Sequence, residues 1–111
     1  MIFYIKKGDR LPVMTGTVRD SNGAAQDLTN ATSITFKMSK KGTTALKTLT
    51  GVASIISPNS EGRVSFAWGS GDTSEAGEYE AEFETFFSDG TNLSTPTIGY
   101  IDVTVTEDIS P

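Results

Sequence analysis

The residues that could do chemistry crowd into one stretch. Asp72, Glu75, Glu78, Glu80, Glu82 and Glu84 follow one another at short intervals, with Gly71 and Gly77 among them. Acids at this density suggest two chemistries. The first is a calcium loop, which needs about six to eight oxygen ligands, acids at set positions and a glycine at the turn. The spacing of Asp72, Glu75 and Glu78 does not follow that pattern. From Glu78 onward the acids fall on alternate residues, as on one face of a strand. The second is a glycosidase pair, two carboxyls facing across a cleft with one pKa raised. Glu78, Glu80, Glu82 and Glu84 stand roughly 6.8 Å apart per step along one strand face. A solvated stripe of that kind has no burial to raise a pKa. The expectation is a water-facing stripe paired with Lys37, Lys40, Lys47 or Arg63 on neighbouring strands. Its functional alternative is a docking face for a basic partner. A second polar group, Asp20, Asn22 and Asp27 around Gly23, reads as turn formers.

The composition removes most other chemistry. The 111 residues contain no cysteine and no histidine. Ser–His and Cys–His nucleophile systems are therefore excluded. Zinc, copper and iron sites lose their usual ligands. No catalytic residue, metal or cofactor is expected. The net charge of -5 disfavours binding to phosphate backbones, so no nucleic-acid partner is expected. No apolar run approaches the ~20 residues of a membrane span, so no membrane insertion is expected. In Met1-Ile2-Phe3-Tyr4-Ile5-Lys6-Lys7 the apolar part is short and precedes the charges, unlike a secretory leader. Synthesis and folding in the cytoplasm are the expectation.

The elements that position these residues read as strands. Apolar residues alternate at Ile34, Phe36 and Met38; at Val64, Phe66 and Trp68; and at Ile101, Val103 and Val105, while Tyr79, Ala81, Phe83, Thr85 and Phe87 share one face of another run. A period of two with one polar face marks antiparallel strands over a core. Weaker strands are expected at 2–5, 11–18, 45–49 and 52–57. Turn clusters punctuate them at 20–23, 57–62 and 88–92. The fold class is all-β: an immunoglobulin-like antiparallel β-sandwich of about seven to eight strands, spanning residues 1–106 as one domain. Residues 107–111 form a short exposed tail.

Within that fold the acidic stretch has a structural use. Immunoglobulin-type sandwiches place a tyrosine just after the turn into a late strand, with its hydroxyl bonded back to the turn. Asp72-Thr73-Ser74-Glu75-Ala76-Gly77-Glu78-Tyr79 has that form, with Asp72, Gly77 and Tyr79 as the corner residues. Ala81 stands where an antibody domain carries cysteine. Trp68 is expected in the core.

Taken in order, IKKGDRLP (5–12), RDSNGAAQDLTNAT (19–32), SITFKM (33–38), GRVSFAW (62–68), GDTSEAGEYEAEF (71–83), SDG (88–90) and PTIGYIDVTV (96–105) resemble the small immunoglobulin-like domain of tailed-phage virion proteins. The likeness is strongest to the N-terminal domain of the baseplate upper protein family. It implies a non-enzymatic structural component of a bacteriophage virion, assembled in the host bacterial cytoplasm. It implies docking onto tail, baseplate or other phage structural proteins, in several copies or as a homo-oligomer on a symmetric particle. In that family a receptor-binding or multimerising part often follows the domain, and here the sequence ends after the sandwich. Capsid decoration, and a bacterial cell-surface adhesion or carbohydrate-binding module, are the alternatives. The candidate contacts are the first strand with its continuation (Phe3, Tyr4, Ile5, Lys6, Lys7), through added strand pairing, and the glutamate stripe.

Overall fold

In the computed structural model the described residues are 2–42, 48–96 and 100–107. They form nine strands: β1 (Ile2–Lys6), β2 (Met14–Thr17), β3 (Ala31–Lys40), β4 (Thr48–Val52), β5 (Ser54–Ile55), β6 (Arg63–Phe66), β7 (Gly77–Phe87), β8 (Asn92–Thr95) and β9 (Ile101–Thr106). The one helical element among these residues is a 3-10 turn over Asn59–Glu61. The larger sheet runs β1-β9-β7-β3-β4, with β8 also paired to β7. The smaller runs β2-β6-β5. The fold is an all-β sandwich of these two sheets. Every pair is antiparallel except β1 with β9, which is parallel.

The period of two builds the interior. Ile34, Phe36 and Met38 of β3, Tyr79, Ala81, Phe83 and Thr85 of β7, and Ile101, Val103 and Val105 of β9 are all buried. Val64 and Phe66 of β6 and Met14 of β2 meet them from the smaller sheet. The centre is aromatic. Phe36 stacks on Phe66 at 4.6 Å between ring centroids and lies 5.1 Å from Phe83. Trp68 meets Phe36 and Phe66 edge-on at 5.6 and 5.5 Å. Such offset and edge contacts satisfy the ring quadrupoles better than sandwiches do.

Two glycines let the sheets close on these rings. A Cβ at Gly51 of β4 would sit 2.3 Å from the Phe66 ring, and one at Gly16 of β2 would sit 3.0 Å from the Phe83 ring. Each sheet thus offers bare backbone to a phenylalanine of the other.

Several elements differ from the sequence expectation. The strand expected over 11–18 begins only at Met14, after Pro12, which has no N–H for a ladder. The run expected over 52–57 is divided. Val52 ends β4 in the larger sheet, the Ala53 N–H bonds the Ile34 carbonyl at 2.8 Å, and the chain then crosses to form β5 in the smaller sheet. The strand expected at 45–49 lies later, at Thr48–Val52; residues 45–47 lie outside the described residues, as do residues 108–111 of the expected tail. Strand β8 was not anticipated.

Candidate functional site: the acidic outer face and the tyrosine corner

Strand β7 carries the acidic stripe because its inward positions, apart from Thr85, are apolar. Glu78, Glu80, Glu82 and Glu84 alternate with buried Tyr79, Ala81, Phe83 and Thr85. All four therefore lie on the outer face of the larger sheet. Their neighbours there are Asp102 and Thr104 of β9, opposite Glu80 and Glu78, and Thr35, Lys37 and Ser39 of β3, opposite Glu84, Glu82 and Glu80.

The ion pairs follow reach rather than register. Lys37 stands opposite Glu82, yet its Nζ donates to Glu84 Oε1 at 2.7 Å. Asn92 Nδ2 donates to the other Glu84 oxygen at 2.7 Å. The Lys37 bond, then the Asn92 bond, hold the Glu84 carboxyl below its ordinary pKa. The same pair raises Lys37. Lys41 extends over β7 to Asp102 Oδ1 at 2.7 Å, which raises the lysine and lowers the aspartate. Lys40 pairs with Glu75 of the corner at 2.6 Å, and Arg63 with Glu61 at 3.0 Å. Of the expected stripe partners Lys37 engages the stripe, at Glu84; Lys47 lies outside the described residues. Glu78, Glu80 and Glu82 make no ion pair among the described residues. The face thus carries unneutralised negative charge and no enclosed carboxyl. Among the described residues no three acids stand close enough to hold a metal ion.

The corner is built as a clamp. Tyr79 packs its ring inward and donates its hydroxyl to the Glu75 carbonyl at 2.7 Å. Asp72 Oδ2 accepts the Gly69 N–H at 2.6 Å and closes the preceding turn. Gly77, at φ +150, enters the strand with Lys40 Cε 3.1 Å from where its Cβ would be. The loop is also strapped to the segment after β1. Gly8 N–H donates to the Thr73 carbonyl (3.0 Å) and Thr73 Oγ1 to the Asp9 carbonyl (2.7 Å). Arg10 Nε donates to the Trp68 carbonyl (3.0 Å) and Trp68 Nε1 to the Pro12 carbonyl (3.0 Å). Trp68 is 1 % exposed, so its indole is core with a satisfied N–H and offers no surface for stacking. The strap was not read from the sequence, since its partners lie about 60 residues apart and carry no shared pattern.

The first strand divides by face. Ile5 is buried and Phe3 packs on the core, its ring 6.0 Å from Trp68. Ile2, Tyr4 and Lys6 face outward, and Lys7 is exposed beyond the strand. Of the candidate contacts there, Tyr4, Lys6 and Lys7 are open to a partner while Phe3 and Ile5 serve the interior. Asp20 and Asp27 behave as turn formers. Asp20 Oδ1 accepts the Asn22 and Ala24 N–H groups, and Asp27 Oδ1 accepts the Thr29 hydroxyl and N–H. One open depression of about 260 Å³ lies on the outer face, between Lys37, Glu80, Glu82 and exposed Tyr100. Comparison with known proteins gives no match: no protein-family model, curated protein or solved structure matches the chain.

Proposed function

We propose that this chain is a non-enzymatic structural module of a tailed-phage virion, an immunoglobulin-like domain that docks onto tail, baseplate or other particle proteins. The observation that carries the reading is the sheet order together with the corner. In this reading the order β2-β6-β5 beside β9-β7-β3-β4 corresponds to strands B-E-D and G-F-C-C′ of an immunoglobulin-type sandwich, which supports the proposal. Tyr79 clamps the turn into the strand that would be F in that plan. The sequence resemblance supplies the virion setting, and the buried Trp68 fits a packing module better than a sugar-stacking one. Glu78, Glu80 and Glu82, which make no ion pair among the described residues, supply a face for a basic partner surface, the kind of contact that steers and orients docking.

The test mixes the purified chain with the disrupted structural proteins of phage particles made by cells that encode it. Light scattering and mass spectrometry then identify what co-migrates. Co-migration with tail or capsid proteins supports the reading and separates baseplate docking from capsid decoration. A chain that binds no particle protein overturns it. The exposed Tyr100 beside its depression favours one second reading, a surface module that binds carbohydrate. Glycan-array binding lost in Tyr100→Ala would establish that alternative.

A further inference from the structure

The two edges of the larger sheet are unlike those of the smaller one. The smaller sheet ends in β2 and in β5, of four and two residues, short edges of the sort that resist further pairing. The larger sheet ends in β1 and β4, five residues each. Neither β1 nor β4 contains a proline, an inward charge or a register break; Lys6, at the end of β1, is the one edge charge among their described residues.

The backbone groups on these edges can be assigned. The Lys7 N–H donates to the Thr106 carbonyl of β9. By alternation along a strand, Ile5 and Phe3 also face β9, while Ile2, Tyr4 and Lys6 direct their N–H and carbonyl groups away from the sheet. The Lys6 carbonyl is taken by the Asp9 N–H, at 3.0 Å. On the other edge the Ala53 N–H donates to Ile34 of β3. Gly51 and Leu49 therefore face β3, and Val52, Thr50 and Thr48 direct theirs outward. Strand directions alternate so that β1 of one copy laid beside β4 of another runs antiparallel to it.

We propose that copies of this chain join head to tail, with β1 of one copy pairing antiparallel to β4 of the next and continuing the larger sheet. Full overlap fixes the register: Ile2 opposite Val52, Tyr4 opposite Thr50, Lys6 opposite Thr48. In that register the outward backbone groups of Ile2 and Tyr4 meet those of Val52 and Thr50 as hydrogen-bonded pairs, while the Lys6 carbonyl stays with the Asp9 N–H. The side chains also agree in face. Ile2 (51 % exposed) and Tyr4 (60 %) lie on the outer face with Val52 (84 %), so pairing covers three large apolar groups that a lone copy leaves in water. The contact uses two different surfaces, so assembly continues into a closed ring or an open filament and does not stop at a dimer. The inference is independent of the virion reading, and either can fail alone.

The test exploits the absence of cysteine. Tyr4 and Thr50 are both exposed, and directly opposed residues have Cα atoms about 5.5 Å apart, within disulfide reach. Under mild oxidation Tyr4→Cys/Thr50→Cys should give a ladder of linked multimers, while a mixture of the two single variants gives dimers only. Tyr4→Cys/Ser60→Cys, with the second thiol away from both edges, should give no ladder. Sedimentation of the unaltered chain should show mass rising with concentration, and Thr50→Pro should abolish that rise with the circular dichroism unchanged. No ladder, or a single variant that cross-links with itself, overturns the proposal. So does a mass that stays at one copy up to millimolar concentration.

Discussion

Tyr79 and Trp68 decide whether the acidic loop is a site or a corner. The Tyr79 hydroxyl bonds the Glu75 carbonyl at 2.7 Å in a part-buried position. Removing the donor leaves that carbonyl poorly satisfied, and such a loss costs about 1 to 2 kcal/mol. Tyr79→Phe should lower the denaturation midpoint by that amount with an unchanged slope. A midpoint equal to the parent's would mean that the corner bond contributes nothing to the fold. Trp68 is the single tryptophan, so it reports on itself. Its indole is sealed, with the N–H held by Pro12. Native emission should be blue-shifted and resistant to iodide quenching, and both properties should vanish on unfolding. Emission near that of free tryptophan in water would place the ring at the surface and reopen the stacking role.

At the scale of elements, the sandwich depends on where rings from one sheet find bare backbone on the other. A Cβ at Gly51 would lie 2.3 Å from Phe66, whose ring is already stacked on Phe36, while one at Gly16 would lie 3.0 Å from Phe83. Overpacking of this sort costs about 1 to 3 kcal/mol. Gly51→Ala should therefore destabilise more than Gly16→Ala, measured by chemical denaturation; the reverse order would mean that β4 can move away from β6 more easily than β2 from β7. These contacts also mark the limit of what the sequence could say. The inward residues of β3, β6, β7 and β9 were legible, because alternation is local and each strand declares its own face. Gly16 and Phe83 lie far apart in the chain, and nothing local says that one receives the other. The division at Ala53 was hidden for a related reason: β4 and β5 are a continuous extended run in sequence, and only tertiary hydrogen bonds separate them. The corner was legible because its donor and acceptor are four residues apart. The ion pairs of the stripe were only half legible, since register puts Lys37 beside Glu82 while the length of its side chain lets it choose Glu84, where Asn92 already holds one carboxylate oxygen.

For the whole molecule, the same pairs set how stability depends on pH. Glu84 and Asp102 are held below their ordinary pKa by Lys37 and Lys41, and Asp27 and Asp89 by their threonine hydrogen bonds. A carboxyl whose folded pKa is depressed contributes stability that is present above its unfolded pKa and lost as pH falls through the folded value. Lys37, Lys40 and Lys41 are raised by Glu84, Glu75 and Asp102. Their contribution is present below the unfolded lysine pKa and lost as pH rises through the folded value. Between those two limits the chain has no histidine to titrate. The unfolding free energy should therefore be nearly level from about pH 6 to pH 9, since the ordinary carboxyl and lysine ranges lie outside that window. It should fall at both ends, more steeply in acid, where four carboxyls act together. Lys37→Met should flatten part of the acid limb by releasing Glu84. At neutral pH it should cost only about 0.5 to 1 kcal/mol, because Lys37 is 42 % exposed and its charge is screened. The check is a series of urea midpoints across pH for both proteins. Acid limbs that superimpose would remove Glu84 from the acid response and assign it to the loop aspartates and Asp102. A midpoint that climbs as pH falls from 6 would overturn the assignment of the acid limb to these four carboxyls.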